Sequence, residues 1–358
     1  MEALVTDRFW KGRRVFVTGH TGFKGSWLLV MLDALGAKVA GYSLDPPTNP
    51  SLFGQIRGDQ LCRDVRGDIR DTGLITQAIS DFDPEVLIHL AAQPIVLAAS
   101  KNGLETVGVN TLGTACVLEA ARSAPSLKAV LSVTTDKVYE NREWNWGYRE
   151  SDALGGHEPY GASKACAELV TSAWARSFLE PRGTCVATAR AGNVIGGGDW
   201  AQARLVPDAI RAWRASEPLM LRAPSSVRPW QHVLEPLSGY LLFCQRLAAD
   251  GAGGIRALNF GPRPEDARTV TEVCDILNGF LPRRIEILRA AADSVPVRES
   301  QTLQLDSGLA SATIGWRPRL RLENALRLTA QWYSGIAEGE NARDLCRRQY
   351  EEFSAIAE

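Results

Sequence analysis

The sequence predicts an α/β protein, in which a parallel sheet covered by helices on both faces is joined to a smaller, mixed C-terminal lobe. Three observations carry that expectation. Short apolar runs alternate with helix-like stretches through the first half of the chain, the pattern of strand-helix-strand units in a parallel sheet. The first run ends in glycines at 19, 22 and 25 and leads straight into a helix-like segment. From about Gly192 the texture changes to prolines, the run Gly196-Gly197-Gly198 and short mixed segments.

The elements follow in chain order. Arg14 to Thr18 is a short apolar strand, then a tight loop, then a helix from Ser26 to Leu35 that Gly36 stops. Lys38 to Leu44 reads as a second strand running into the turn-rich Asp45-Pro46-Pro47-Thr48-Asn49-Pro50. Further strands are expected at Glu85 to Leu90, Ala129 to Thr134 and Cys185 to Ala189, and helices at Leu104 to Ala121 and Tyr160 to Phe178. Beyond Gly192, Leu219 to Arg222 and Ile285 to Leu288 are short mixed segments, while the helix-like Leu237 to Leu247 can return to the first lobe. The division is therefore residues 1–190, with 231–250 added, for the sheet domain and most of 191–358 for the second lobe.

A chain of 358 residues, 45% hydrophobic and 23% charged, has ample material for a core and does not have the composition of a disordered protein. Lysine plus arginine number 40 against 41 acids, so no global field exists to hold nucleic acid or an anionic membrane, and neither is expected as a partner. Seven scattered cysteines with no two-residue-gap pair read as reduced, mostly buried thiols. Four dispersed histidines give no expectation of a metal site. Met1 to Arg14 lacks the apolar core of a signal peptide, and no stretch reaches the ~20 apolar residues of a membrane span. The expected location is cytoplasmic.

Gly19, Gly22 and Gly25, between a strand and a helix, permit a tight turn, a close approach of backbone to pyrophosphate, and close packing of helix on strand. The helix N-terminus then offers amides to the phosphates. Asp68, in Gly67-Asp68-Ile69-Arg70-Asp71, can accept from an adenine amino group or merely shape a turn. At the end of the second strand, Tyr42-Ser43-Leu44-Asp45 leaves NAD and NADP open. Tyr160 and Lys164 lie one turn apart on one helix face. An ammonium beside a phenol favours the phenolate, which suits proton exchange with a sugar hydroxyl during hydride transfer. Together with the glycine loop, the pair marks a Rossmann-like nicotinamide dinucleotide enzyme.

With these motifs on view, the chain resembles the extended short-chain dehydrogenases and, within them, the nucleotide-sugar 4,6-dehydratases of the cytidine branch. The resemblance is carried by Phe9-Trp10-Lys11-Gly12, Gly19 to Trp27, Asp136-Lys137-Val138-Tyr139-Glu140, Trp146-Gly147-Tyr148-Arg149-Glu150, Arg190 to Trp200, Arg228 to Tyr240 and Trp316-Arg317-Pro318. It implies NAD as cofactor, held by Gly19, Thr21, Gly22, Phe23, Lys24, Gly25, Asp68, Ile69, Leu90, Ala91, Ala92, Gln93, Tyr160 and Lys164. It implies Thr135, Asp136 and Lys137 as catalytic residues beside Tyr160 and Lys164. The substrate would be a nucleotide sugar, a CDP-hexose in this branch, contacted by Asn193, Asp199, Trp200, Arg204, Leu205, Val206 and Arg228.

The implied cycle oxidises carbon 4, eliminates water across carbons 5 and 6, and returns hydride to carbon 6. Elimination needs an acid, which suits Asp136 if its surroundings keep it protonated, and a base at carbon 5. The dTDP-sugar relatives place glutamate at that second position and the cytidine branch places lysine, here Lys137, which must be neutral to act. Arg228 has the forked donors that suit a diphosphate, whereas Trp200 and Trp230 face a nucleotide or are simply buried. One segment departs from the family. After Ala91-Ala92-Gln93-Pro94 the family carries an arginine and a Ser-Tyr pair, where this chain has Val96-Leu97-Ala98-Ala99-Ser100-Lys101-Asn102-Gly103. The other readings are an epimerase or reductase on the same fold, which Asp136 with Lys137 disfavours, and a cofactor-sensing binding protein, which retention of Tyr160 and Lys164 disfavours. The resemblance also implies a homodimer or homotetramer.

Overall fold

The computed structural model describes residue 5 and residues 7–250, 254–289 and 302–356. Met1 to Leu4 and Thr6, part of the N-terminal stretch considered above, lie outside the described residues. The strands are β1 (Arg14–Thr18), β2 (Lys38–Ser43), β3 (Arg63–Arg66), β4 (Val86–His89), β5 (Ala129–Val133) and β6 (Cys185–Ala191). After them come β7 (Asn193–Ile195), β8 (Leu219–Leu221), β9 (Val227–Arg228), β10 (Trp230–His232), β11 (Ala257–Phe260), β12 (Arg268–Thr269) and β13 (Ile287–Arg289). Seven of them form one parallel sheet in the order β3-β2-β1-β4-β5-β6-β11. Chain order reverses direction between β1 and β4, and in such sheets the crevice at the carboxyl ends of those two strands receives ligands.

The central strands are legible as continuous apolar runs because both of their faces are covered. Val15 and Val17 of β1 enter one apolar cluster and Phe16 enters the other. β3 was not expected. Its sequence, Arg63-Asp64-Val65-Arg66, has no apolar alternation, and only the ladder with β2 makes it an edge strand. β11 also lies outside the span expected for the sheet, since Ala257 to Phe260 come after the change in texture yet pair with β6. The helix Leu234–Asp250 packs against β5, β6 and β11. The short segments Leu219 to Arg222 and Ile285 to Leu288 find each other as β8 and β13.

Two long helical segments pack side by side, one against β4 and the other against β6. The expected helix over 104–121 begins at Gly103 and is interrupted by a π turn, Gly108–Leu112, before Gly113–Ala121. The helix Pro159–Trp174 likewise ends in a π turn, Ala175–Leu179. Wider π turns of this kind recur at functional sites. The C-terminal helix Ala342–Ala355 closes over the helix Phe23–Ala34, with Arg347 paired to Asp33.

The Gly196-Gly197-Gly198 run packs the core. A Cβ at Gly197 would lie 2.0 Å from the Trp332 ring, and the Gly197 carbonyl accepts from Trp27 Nε1 at 2.9 Å. Both indoles are fully buried, and truncating such a side chain costs about 3–5 kcal/mol.

Candidate active site

The glycine loop sits at the end of β1 against the end of β4. Gly19 has φ 76°, and a Cβ there would fall 2.6 Å from Ala91 N. One at Gly25 would fall 2.2 Å from Gly19 O, so helix and loop touch backbone to backbone. At Gly22 it would meet only Gly19 O, at 3.4 Å, and no side chain caps the helix Phe23–Ala34 that starts there. Bare amides facing open space at a helix N-terminus are what an extended pyrophosphate needs. These residues fit a dinucleotide.

The remaining cofactor residues expected from sequence divide in two. Leu90, Ala91 and Ala92 lie half-buried beyond β4, beside the loop. Gln93 is committed to the scaffold: its side chain donates to Thr106 Oγ1 and accepts from Ile95 N, and Asn110 holds its backbone. Thr21 Oγ1 is buried against Ser43 Oγ at 2.8 Å and Leu44 O at 3.0 Å. Ile69 is buried against Gly113, and Phe23 approaches Gly196. The Asp68 carboxylate, with its pKa lowered chiefly by its bond to Arg70, accepts from Arg70 N at 2.8 Å and Nη2 at 2.6 Å.

The helix carrying Tyr160 and Lys164 is started by Pro159 at its first turn and by Glu158, whose carboxylate accepts from Tyr160 N and Gly161 N. Lys164 Nζ donates to Val133 O at 3.1 Å, the last residue of β5. Sequence suggested a phenol drawn toward phenolate. The structure corrects this: burial pushes the Tyr160 phenol up to about 12, with Thr135 and Arg204 pulling it down and Asp136 and Glu158 pushing it further up. Burial also lowers Lys164 to about 8, against the charge of Glu168. In a site this dry, desolvation outweighs the neighbouring charges.

Thr135, Asp136 and Lys137 open a 3₁₀ turn directly after β5. Thr135 Oγ1 donates to Asp136 Oδ1 at 2.9 Å. Asp136 is buried, and burial raises its pKa against the charges of Lys137, Arg228 and Lys24 and the Thr135 bond. Burial thus shifts Asp136 toward the protonated carboxyl. Lys137 beside it is the less buried of the two. Gly192, following β6, has a position whose Cβ would lie 2.9 Å from Asp136 Oδ2, so only glycine leaves that carboxyl in place. Lys24, at the glycine loop, is pushed down to about 7 by burial, then by Arg204 and Lys164, with Asp136 opposing.

The expected substrate residues separate in the same way. Arg204 and Arg228 act electrostatically on the catalytic groups, Arg204 on Tyr160 and Lys24 and Arg228 on Asp136, which brings both to the site. Asn193 opens β7 opposite Trp230 of β10. Asp199 accepts from Arg204 Nη1 at 2.9 Å and from Ala201 N, while its carbonyl accepts from Tyr333. Trp200 has the ordinary role of a buried indole, edge-on to Trp332 and Tyr333, with Nε1 donating to Gln55. Val206 is core, and Leu205 begins the helix Leu205–Ala215. Arg190, which opens one of the segments that carry the resemblance, is ion-paired to Glu168 at 2.9 Å with both side chains 5% exposed.

Sequence reasoning missed Glu168, although it extends the spacing of Tyr160 and Lys164 by another four residues. It also missed Asn110, whose amide donates to Ser163 Oγ and to Gln93 O. No spacing signal marks that residue.

Residues 15–261 match the model of the NAD dependent epimerase/dehydratase family. The chain is 44% identical over 355 residues to a CDP-glucose 4,6-dehydratase of Salmonella typhimurium, covering 98% of each chain. It is 27% identical to a probable dTDP-glucose 4,6-dehydratase of Sinorhizobium fredii, covering 89% of this chain and 92% of the relative. Among solved structures, a dTDP-glucose 4,6-dehydratase of Streptomyces venezuelae with NAD bound superposes with TM-score 0.75 at 25% identity, over 92% of this chain and 99% of that one. A UDP-glucose-4-epimerase of Stenotrophomonas maltophila with bound NAD shares the fold at TM-score 0.77 and 21% identity, over 92% and 100%.

Proposed function

The chain belongs to the NAD dependent epimerase/dehydratase family, and from that premise we propose that it is an NAD-dependent CDP-glucose 4,6-dehydratase, a hydro-lyase yielding a CDP-4-keto-6-deoxy sugar. The observation that carries the reading is the buried acid Asp136, with Lys137 beside it, in the site that also holds Tyr160 and Lys164. An epimerase or a simple reductase needs the tyrosine and lysine but no pair for removing water.

NAD, when bound, supplies the acceptor for hydride from carbon 4 of the sugar and its donor to carbon 6. Tyr160, once its own proton has passed to solvent, takes the proton of the carbon 4 hydroxyl onto its phenolate oxygen, and Thr135 orients that oxygen by hydrogen bonding. Lys164 carries the positive charge that offsets phenolate formation and holds ribose hydroxyls. Once carbon 4 is a ketone, Lys137 Nζ removes the acidified proton at carbon 5, and it gives a proton back to that carbon when hydride reaches carbon 6. Asp136 gives its proton to the hydroxyl leaving carbon 6, so that water departs. Arg204 and Arg228 hold the diphosphate.

The test is incubation of the protein and NAD with CDP-, dTDP-, GDP- and UDP-hexoses, read by mass spectrometry. Loss of one water from the CDP-hexose supports the reading, and loss from none of the four would sink it. Preference for another base would move the substrate assignment and leave the chemistry.

We also propose a homodimer formed by a second copy of this chain. Leu104 (87% exposed), Leu112 (57%), Val107 (42%), Leu169 (62%) and Phe178 (37%) stand out from the helical segments 103–121 and 159–179. Exposed apolar side chains on both helical segments support an interface there. Scattered thiols and the absence, among the described residues, of a helix able to cross a membrane are compatible with a cytoplasmic setting.

A further inference from the structure

The tyrosine helix grips the end of β5 twice. Lys164 Nζ donates to Val133 O, and one turn further on Glu168 Oε1 accepts from Thr134 Oγ1 at 2.5 Å. The next residues of the chain are Thr135, Asp136 and Lys137. Glu168 also accepts from Thr188 Oγ1 at 2.6 Å and from Arg190 Nε and Nη2, both at 2.9 Å, so its carboxylate is fully engaged.

Arg190 is clamped in turn. Its Nη1 donates to Tyr139 Oη at 2.8 Å and to Glu150 O at 3.1 Å, and its guanidinium lies 5.0 Å from the Tyr139 ring centre. Tyr139 Oη donates to Asn259 of β11. Its ring stacks on Tyr148 at 5.2 Å and 17°, and Tyr148 stacks on Trp144 at 5.4 Å and 15°. The column leaves the guanidinium one orientation, toward Glu168. A buried ion pair is a poor stabiliser compared with apolar residues of the same volume, so its presence directly beneath the site calls for another role.

We propose that Glu168, through its pairing with Arg190, is the positioning residue of the catalytic face. It fixes the tyrosine helix against the strand end that carries Asp136 and Lys137, and it supplies the counter-charge beneath Lys164. Lys24 from the glycine-loop helix and His89 from β4 act electrostatically on that amine, and the elements packed against its helix carry Asp136 and Lys137 in the turn after β5 and Arg190 in β6. Lys101, Glu105 and Glu119, on the helices packed alongside, are exposed. Glu168 is the carboxylate that favours the ammonium against its burial.

The inference rests on the dehydratase reading for its assay, so the parent enzyme serves as control: a parent that releases no water indicts that reading and not this one. Glu168→Gln and the charge-free Glu168→Gln/Arg190→Met are compared with the parent by thermal unfolding and by the pH profile of water loss. In a variant that folds, kcat is expected to fall by about tenfold or more with KM held within about threefold, and the high-pH limb to begin about one unit lower. Glu168→Asp, which keeps the charge, should leave that limb where the parent has it. A folded charge-free variant with the parent's kcat and pH profile overturns the proposal. If neither charge-removing variant folds, the isosteric Thr134→Val decides. It cuts one bond to Glu168, and an unchanged kcat in it overturns the proposal equally.

Discussion

At Tyr160, burial and chemistry pull in opposite directions. The phenol must give up its proton to receive another, yet burial holds it at about 12. Tyr160→Phe should therefore keep the dinucleotide bound, by fluorescence titration, while turnover falls by about 10²–10⁴-fold, the usual worth of a positioned acid-base group. Asp136 has the reverse arrangement, since burial favours the neutral acid that the elimination requires. Asp136→Asn should permit oxidation and stall elimination, seen as accumulating absorbance of reduced nicotinamide in a single turnover. Normal turnover in either variant would remove the assigned role. The lysine sets the pH limit. Its ammonium, lowered to about 8 by burial, is present below that pH and lost as pH rises through it. The kcat/KM for water loss should accordingly decline above about pH 8, and a flat profile to pH 10 would count against a charged Lys164.

Elements bring these groups together by close backbone approaches. The step from β6 to β7 passes at Gly192, where the chain lies against the Asp136 carboxyl and Pro229. Gly192→Ala places a methyl group in that gap. The expected result is a fall in kcat of about tenfold or more with thermal stability lowered by ~1–3 kcal/mol, the ordinary cost of overpacking. Parent-like kinetics in the alanine variant would mean that the carboxyl moves freely. The strand-helix alternation and the glycine spacing were readable from sequence because periodicity and backbone freedom are local properties. β3 and β11 were not readable, because a charged edge strand and a four-residue strand after a long excursion acquire their state from the ladders that they join.

For the whole molecule, the exposed leucines of the two long helices are where the proposed dimer is tested. Leu104→Asp combined with Leu169→Asp should convert a dimer into a monomer by light scattering, and an unchanged mass would place the interface elsewhere. Sequence alone determined the fold class, the glycine loop and the Tyr160 and Lys164 pair, because each is written in neighbouring residues or in one helical turn, whereas the Asp136-Lys137 dipeptide was legible only through the family resemblance. It did not determine which side chains face the site. Trp200 and Val206 are packed in the core cluster, Asp68 pairs with Arg70, and Arg190 pairs with Glu168, since burial and pairing are settled by distant segments. The protonation of Tyr160, Lys164 and Asp136 was likewise decided only by tertiary structure. Desolvation, the largest influence on all three, is a property of the closed interior and not of any residue's neighbours in the chain.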